Sequence, residues 1–280
     1  MTTAIILVGY DLNRTLYALG SYDLFASHIG PRHKVLVWNG SPSSIAHLAP
    51  NATSWYLVSG SNKNHEFSGW QEGLAVLSES SDVYRYIIFA NDTIAREDSP
   101  TRRAHLLQRL ARTITDRRLY DAVGLIHDSP RLGVGNDLGP HPIQNWLCTG
   151  CFAISGLLLS KLGGIIDYSM YCSEFTAINN EPTLLNNNTS LALKAHIEDW
   201  LSNVEHGWNK AIPKPWSSSE ITYLRKKTLM ILNEMMLSIK IRQAGAELYE
   251  PPFVLESTIE RMRRVSVLLA KRLLNTFRID

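Results

Sequence analysis

Four clusters of small polar residues each stand directly after a short apolar run. Gly9-Tyr10-Asp11 follows Ala4–Val8, and Trp38-Asn39-Gly40-Ser41 follows Lys34–Val37. Gly60-Ser61-Asn62-Lys63-Asn64 comes next, running into Glu66-Phe67-Ser68-Gly69-Trp70, and Asn91-Asp92-Thr93 follows Tyr84–Ala90. Asn, Asp and Ser side chains can hydrogen-bond a base or a ribose, and glycines let a backbone approach a ligand closely. Any one such cluster is ordinary turn chemistry. Four in series, each closing a strand-like run, point to a polar ligand laid across one edge of a sheet.

That edge requires strands and helices in alternation. The strands expected are Ala4–Tyr10, Lys34–Trp38, Ser54–Val58, Tyr84–Ala90 and Ala122–His127. Helical spacing fits Arg14–His28, Ser68–Ser78 and Thr101–Arg117 between them. Alternation of this kind predicts an α/β fold with a mostly parallel sheet flanked by helices, which binds ligands at the carboxyl ends of its strands. The second half reads as more helical, with Thr189–Asn203, Ser218–Ala244 and Ser257–Phe277. Ser217 and Glu220 are spaced as a capping box, and Gly245 is placed to close the long helix.

Composition sets outer limits. The chain has 280 residues, 45% hydrophobic and 19% charged, which excludes a disordered chain. Lys plus Arg is 28 against 26 for Asp plus Glu, a net charge of +2, which does not suit a dedicated nucleic-acid binder. Three cysteines make no disulfide framework. Cys148-x-x-Cys151 has no second pair to complete a zinc site and no early strand–helix junction to make it a redox site. Neither a secretory signal nor a membrane span is legible, so a cytoplasmic location is expected. Glu260–Asp280 carries Arg261, Arg263, Arg264, Lys271, Arg272 and Arg278 beside an apolar stripe. It reads as a terminal helix with a solvated basic face, or as one that touches the inner face of an anionic membrane.

The order of these motifs resembles the nucleotide-binding half of GT-A glycosyltransferases, over roughly residues 4–210. The resemblance is to the inverting bacterial polysaccharide branch, of the O-antigen and rhamnan type. Tyr10-Asp11 stands where that family has an aromatic-Asn pair, Asn39-Gly40-Ser41 at its second strand end, and Asn64 with Phe67-Ser68-Gly69 at its helix start. Asn91-Asp92-Thr93 stands at its Asp-x-Asp motif, and Trp146-Leu147-Cys148-Thr149-Gly150-Cys151-Phe152 is similar to its acceptor segment. The resemblance implies a GT-A-like, Rossmann-related domain over residues 1–210 and a helical C-terminal extension over 211–280. It implies transfer of a sugar from a nucleotide-diphosphate donor to a glycan or lipid-linked glycan, with inversion. Tyr10, Asp11, Asn39, Ser41, Asn64, Gly69, Asn91, Asp92 and Thr93 would then hold the donor, and Trp146 and Cys148 would meet the acceptor.

The family's catalytic base lies in an acidic pair downstream of the acceptor segment. Glu198-Asp199 is the adjacent acidic pair there, with Glu174, Asp167, Asp128 and Asp137 as further candidates. The metal motif departs from the pattern, because Asp92 is its lone carboxylate. One Asp can still share Mg2+ or Mn2+ with a diphosphate; otherwise Lys63, Arg96, Arg102 or Arg103 would neutralise the phosphates. Loss of the second carboxylate also admits a reading as a noncatalytic glycan-binding or scaffold subunit of a polysaccharide assembly complex.

Overall fold

The computed structural model describes residues 2–96, 100–128, 138, 140–143, 145–163, 166–176, 183–187, 189–203 and 211–251. Seven strands form one sheet: β1 (Thr2–Gly9), β2 (His33–Trp38), β3 (Tyr56–Ser59), β4 (Tyr84–Asn91), β5 (Ala122–Asp128), β6 (Asn145–Ser155) and β7 (Leu248–Tyr249). Their order across the sheet is β3-β2-β1-β4-β6-β5-β7. The first four run parallel, β6 lies antiparallel to both β4 and β5, and β7 is parallel to β5. The α/β fold and the mostly parallel sheet therefore agree with the reading of the sequence.

Helices cover both faces. They are α1 (Leu12–Ile29), α2 (Ile45–Leu48), α3 (His65–Ser78), α4 (Pro100–Thr115), α5 (Gly156–Lys161), α6 (Ser169–Ser173), α7 (Leu191–Ser202) and α8 (Ser218–Gln243). Alternation along β1 divides the core. Ile5 and Leu7 pack with Tyr22 and Phe25 of α1 and Leu110 of α4. Ala4, Ile6 and Val8 face the other way, onto Phe67 and Trp70 of α3 and Leu237 and Ile241 of α8. A strand buried on both faces reads as a continuous apolar run, as β1 does from Ala4 to Val8. Trp70, Phe89 and Phe152 interlock at ring separations of 5.1–6.1 Å across the centre of the sheet.

A third core joins α7 and α8 around Trp146, Leu193, Ile197, Leu224 and Leu232. Helix α8 begins with the expected Ser217–Glu220 capping box. It ends in a Schellman turn: Gly245, at φ 75°, donates to the Arg242 carbonyl and Ala246 donates to that of Ile241. Residues on both sides of position 210 thus build the same core, and β7 completes the sheet. The basic segment 260–280 lies outside the described residues. Among the described residues, no helix is long and apolar enough to cross a membrane.

Candidate active site at the strand ends

The carboxyl ends of β1, β2 and β4 meet where the polar clusters fall. Asp92, 1% exposed, sits just past β4. Its Oδ2 accepts the backbone N–H groups of Tyr10 and Asp11, each at 2.9 Å, and the Thr15 hydroxyl at 3.3 Å. The carboxylate thereby ties the end of β4 to the end of β1 and the start of α1. Asp11 is the N-cap of α1 and accepts from the Arg14 N–H at 3.0 Å; that bond holds its carboxyl below the usual range. Asn91 accepts from the Thr93 N–H at 3.0 Å and from the Thr93 hydroxyl, and reaches the Thr149 carbonyl of β6 at 3.5 Å.

Asn39 is buried at the end of β2. Its Nδ2 donates to the His65 carbonyl at 3.1 Å, while its Oδ1 is buried without a partner. Two glycines make room for it. A Cβ on Gly60 would stand 1.9 Å from Oδ1, and one on Gly69 would be 3.2 Å from Nδ2. The loop between them is bent at Asn62 and His65, both at φ 52°. A left-handed histidine is strained, and the bend turns its carbonyl onto Asn39. Asn64 donates from Nδ2 to Asp167 Oδ2 at 2.9 Å. Asp167 Oδ1 in turn accepts from buried Asn233 of α8 at 3.1 Å, so the β3–α3 loop is linked to α8. Ser41 is exposed and bonded to Ser43.

Two carboxyl groups lie beneath this edge. Glu66, in the first turn of α3, is buried, and its Oε2 is 3.5 Å from the Tyr10 hydroxyl. Burial pushes the Glu66 carboxyl up, and burial together with Glu66 pushes the Tyr10 phenol up. Glu234 of α8 accepts from the Thr149 hydroxyl of β6. Burial pushes its carboxyl up to about 8, the nearby charge of Glu66 adds to that, and Thr149 and Lys227 work against it. One turn on, Ser238 of the same helix accepts from the Leu147 N–H at 2.9 Å. Residues 234 and 238 of α8 therefore sit against residues 149 and 147 of β6, which fixes the direction Glu234 faces.

The structure gathers Tyr10, Asp11, Asn39, Asn64, Gly69, Asn91, Asp92 and Thr93 at this edge. It places the other expected residues elsewhere or deeper. Trp146 is 1% exposed, inside a cluster with His127, His196 and Trp200 at ring separations of 5.6–5.8 Å. Cys148 is half-buried, and Cys151 is buried with its thiol pushed up to about 12. Glu198 pairs with Lys214 at 2.6 Å and, with Asp199, lies on α7. Asp137 and the side chains of Asp128, Arg96, Arg102 and Arg103 lie outside the described residues.

Asp92 offers a divalent ion one carboxylate oxygen. Asp92 Oδ1 is buried without a hydrogen-bond partner. Among the described residues, no three His, Cys, Asp or Glu side chains gather into a ligand set. The site thus fits an ion that takes one carboxylate oxygen and fills its shell from a phosphate ligand and water.

Lys227 and Glu234 were not singled out in the sequence, and Glu66 stood there only as a member of its cluster, with no role. Glu234 did leave a mark: Asn233-Glu234 interrupts an apolar run from Leu229 to Leu237. A charged residue inside such a run is buried with it and needs a partner.

No protein-family model matches the chain, and no curated protein matches it in sequence. Among solved structures, a mannosyltransferase from Pyrobaculum calidifontis in complex with GDP-Man and Mn2+ is 13% identical. It covers 97% of this chain and 80% of its own, at a TM-score of 0.37. Glucosyl-3-phosphoglycerate synthase from Mycobacterium tuberculosis, in complex with Mn2+, UDP and glucosyl-3-phosphoglycerate, is 10% identical over 88% of this chain and 81% of its own, at 0.35. A 4-diphosphocytidyl-2C-methyl-D-erythritol synthase is 11% identical over 58% and 78%, at 0.39. Identities and scores this low transfer no substrate and no residue role.

Proposed function

We propose that this chain is a glycosyltransferase that moves a sugar from a nucleotide-diphosphate donor to a glycan or lipid-linked glycan. The observation that carries the reading is the convergence of Tyr10, Asn39, Asn64, Asn91 and Asp92 at the carboxyl edge of the parallel strands, above two carboxyls of raised pKa. In this reading Tyr10, Asp11, Asn39, Ser41, Asn64 and Gly69 frame the nucleotide. Asn91, Asp92 and Thr93 face the diphosphate. Asp92 Oδ1 would hold Mg2+ or Mn2+, which when bound supplies positive charge against the leaving diphosphate. A carboxylate takes the acceptor proton, and Glu198 or Asp199 is the pair the sequence offers. Cys148 of β6 would face the acceptor side, with the buried Trp146 packed behind it as support. A single displacement would invert the anomeric centre. The setting proposed is bacterial surface polysaccharide synthesis, at the inner face of the membrane, with segment 260–280 as the contact.

A second reading has its own observation. The hydrogen bonds of Asn91, Asp92 and Thr93 are met largely within the protein, which suits a binding or scaffold subunit with no turnover. Thermal unfolding with UDP, GDP, dTDP and CMP, each with and without Mn2+, separates the two from a chain that binds no nucleotide. Binding raises the melting temperature by mass action. A diphosphate that stabilises, followed by sugar transfer from its nucleotide sugar, supports the enzyme. Stabilisation without transfer supports the subunit, and no response to any nucleotide overturns the proposal.

A further inference from the structure

The strand-end site contains an acid that the motif order did not supply. Glu234 is held from two elements: Thr149 of β6 donates its hydroxyl to the carboxylate, and α8 is pinned to β6 one turn further on by Ser238. The backbone of Thr149 accepts from Asn91, the residue that closes β4 and orients Thr93. Two consecutive contacts therefore run from the proposed diphosphate position to Glu234. The charged groups facing it are Glu66 from α3 and Lys227 from its own helix. Glu66 in turn reaches the Tyr10 hydroxyl at the end of β1. Glu198 has a different setting. It is ion-paired to Lys214, on a helix whose apolar face belongs to the third core.

We infer that Glu234 is the general base of the proposed transfer, with Thr149 as the positioning residue that holds its carboxyl and Glu66 as the acid that faces it. This rests on the glycosyltransferase reading. The step balances as a single displacement. The acceptor hydroxyl gives its proton to the Glu234 carboxylate while its oxygen bonds the anomeric carbon. The bond from that carbon to the diphosphate oxygen breaks, and its electron pair leaves with the nucleotide diphosphate. The proton on Glu234 then passes to water.

A base tuned in this way leaves a signature that a solvated carboxylate does not. Glu234 titrates near 8, so kcat/KM should rise about tenfold per pH unit below that point and level off above it. A carboxylate of ordinary pKa near 4 would give a flat profile from pH 6 to 9. Thr149 stabilises the charged form, so Thr149→Val should move the midpoint to higher pH. Glu234→Gln should lower kcat/KM about 100-fold or more.

The test is a pH profile of transfer for the full-length wild type, Thr149→Val, Glu234→Gln and Glu198→Gln. It is paired with calorimetric binding of the nucleotide diphosphate that the thermal panel selects. The expected result is a rising wild-type profile, an upward shift in Thr149→Val, and loss of turnover with binding retained in Glu234→Gln. A flat wild-type profile overturns the assignment even if Glu234→Gln does not fold. So does full activity in Glu234→Gln, or activity lost in Glu198→Gln while Glu234→Gln keeps it. If the wild type binds no nucleotide diphosphate, the parent reading fails and the base assignment falls with it. If it binds and transfers but the profile is flat, only the assignment fails.

Discussion

Replacing Asp92 with alanine tests whether this carboxylate is the clamp between β1 and β4. The variant removes the acceptor for two backbone donors, those of Tyr10 and Asp11, and for the Thr15 hydroxyl. Hydrogen bonds to a charged group contribute about 1.5–3 kcal/mol each when buried. Tyr10 and Asp11 are half-buried, so water can recover part of that, and the Thr15 bond is long at 3.3 Å. The expected loss is therefore about 2–4 kcal/mol. At about 2–4 °C per kcal/mol for a chain approaching this size, the melting temperature falls by roughly 4–16 °C. Asp92→Asn keeps one oxygen in place and should lose about half as much. Urea unfolding followed by circular dichroism reads both variants. A loss below about 0.5 kcal/mol in Asp92→Ala, the size of an ordinary surface change, would refute the clamp.

Three further outcomes are expected. Gly156→Ala places a Cβ 2.0 Å from the Tyr84 carbonyl oxygen, a backbone atom that cannot swing aside; thermal unfolding should show a loss of about 1–3 kcal/mol. Ser217→Ala breaks the capping box of α8 and should cost about 1 kcal/mol in urea unfolding, with Ser217→Thr largely spared. The third concerns pH. Glu234 gives up its proton near 4.5 when unfolded and near 8 when folded. Its contribution to stability is complete below the first value and is lost as pH rises through the second. Glu234→Gln removes that slope, so at pH 9 it should unfold at higher urea than wild type, and the opposite order would contradict the raised pKa.

The sheet was legible because its first four strands are short apolar runs closed by Gly, Asn, Asp and Ser, with helical spacing between them. Strand β6 was not. Trp146 to Ile154 mixes Cys, Thr and Gly with large apolar residues, and neither period of two nor of 3.6 stands out in it. It also runs against β4, a reversal set by packing rather than by local propensity. The residues gathered at the strand ends were legible because small polar residues follow directly on the apolar runs of the strands. Glu66 and Glu234 were harder to find, since a carboxyl gains a raised pKa from what folds over it. Glu66 lies in a helix start and Glu234 near the middle of a helix, 168 positions apart in the numbering of the chain. Trp146 shows the reverse error of scale: a tryptophan in a polar-looking segment suggests an exposed platform, yet α7 and α8 close over it.

The placement of β6 between β4 and β5 also bears on how the chain is made. Tyr86-Ile87-Ile88-Phe89-Ala90 of β4 has one edge paired to β1, which is already synthesised, and the other paired to Ser155–Cys151. The partner of that second edge emerges about 65 residues after β4, roughly 3–13 s later at ~5–20 residues per second of translation. During that interval an uncharged, aromatic and β-branched edge stands open to neighbouring nascent chains, the arrangement that favours edge-to-edge aggregation. Low expression temperature or chaperone co-expression should therefore raise the yield of folded protein more than a change of buffer does.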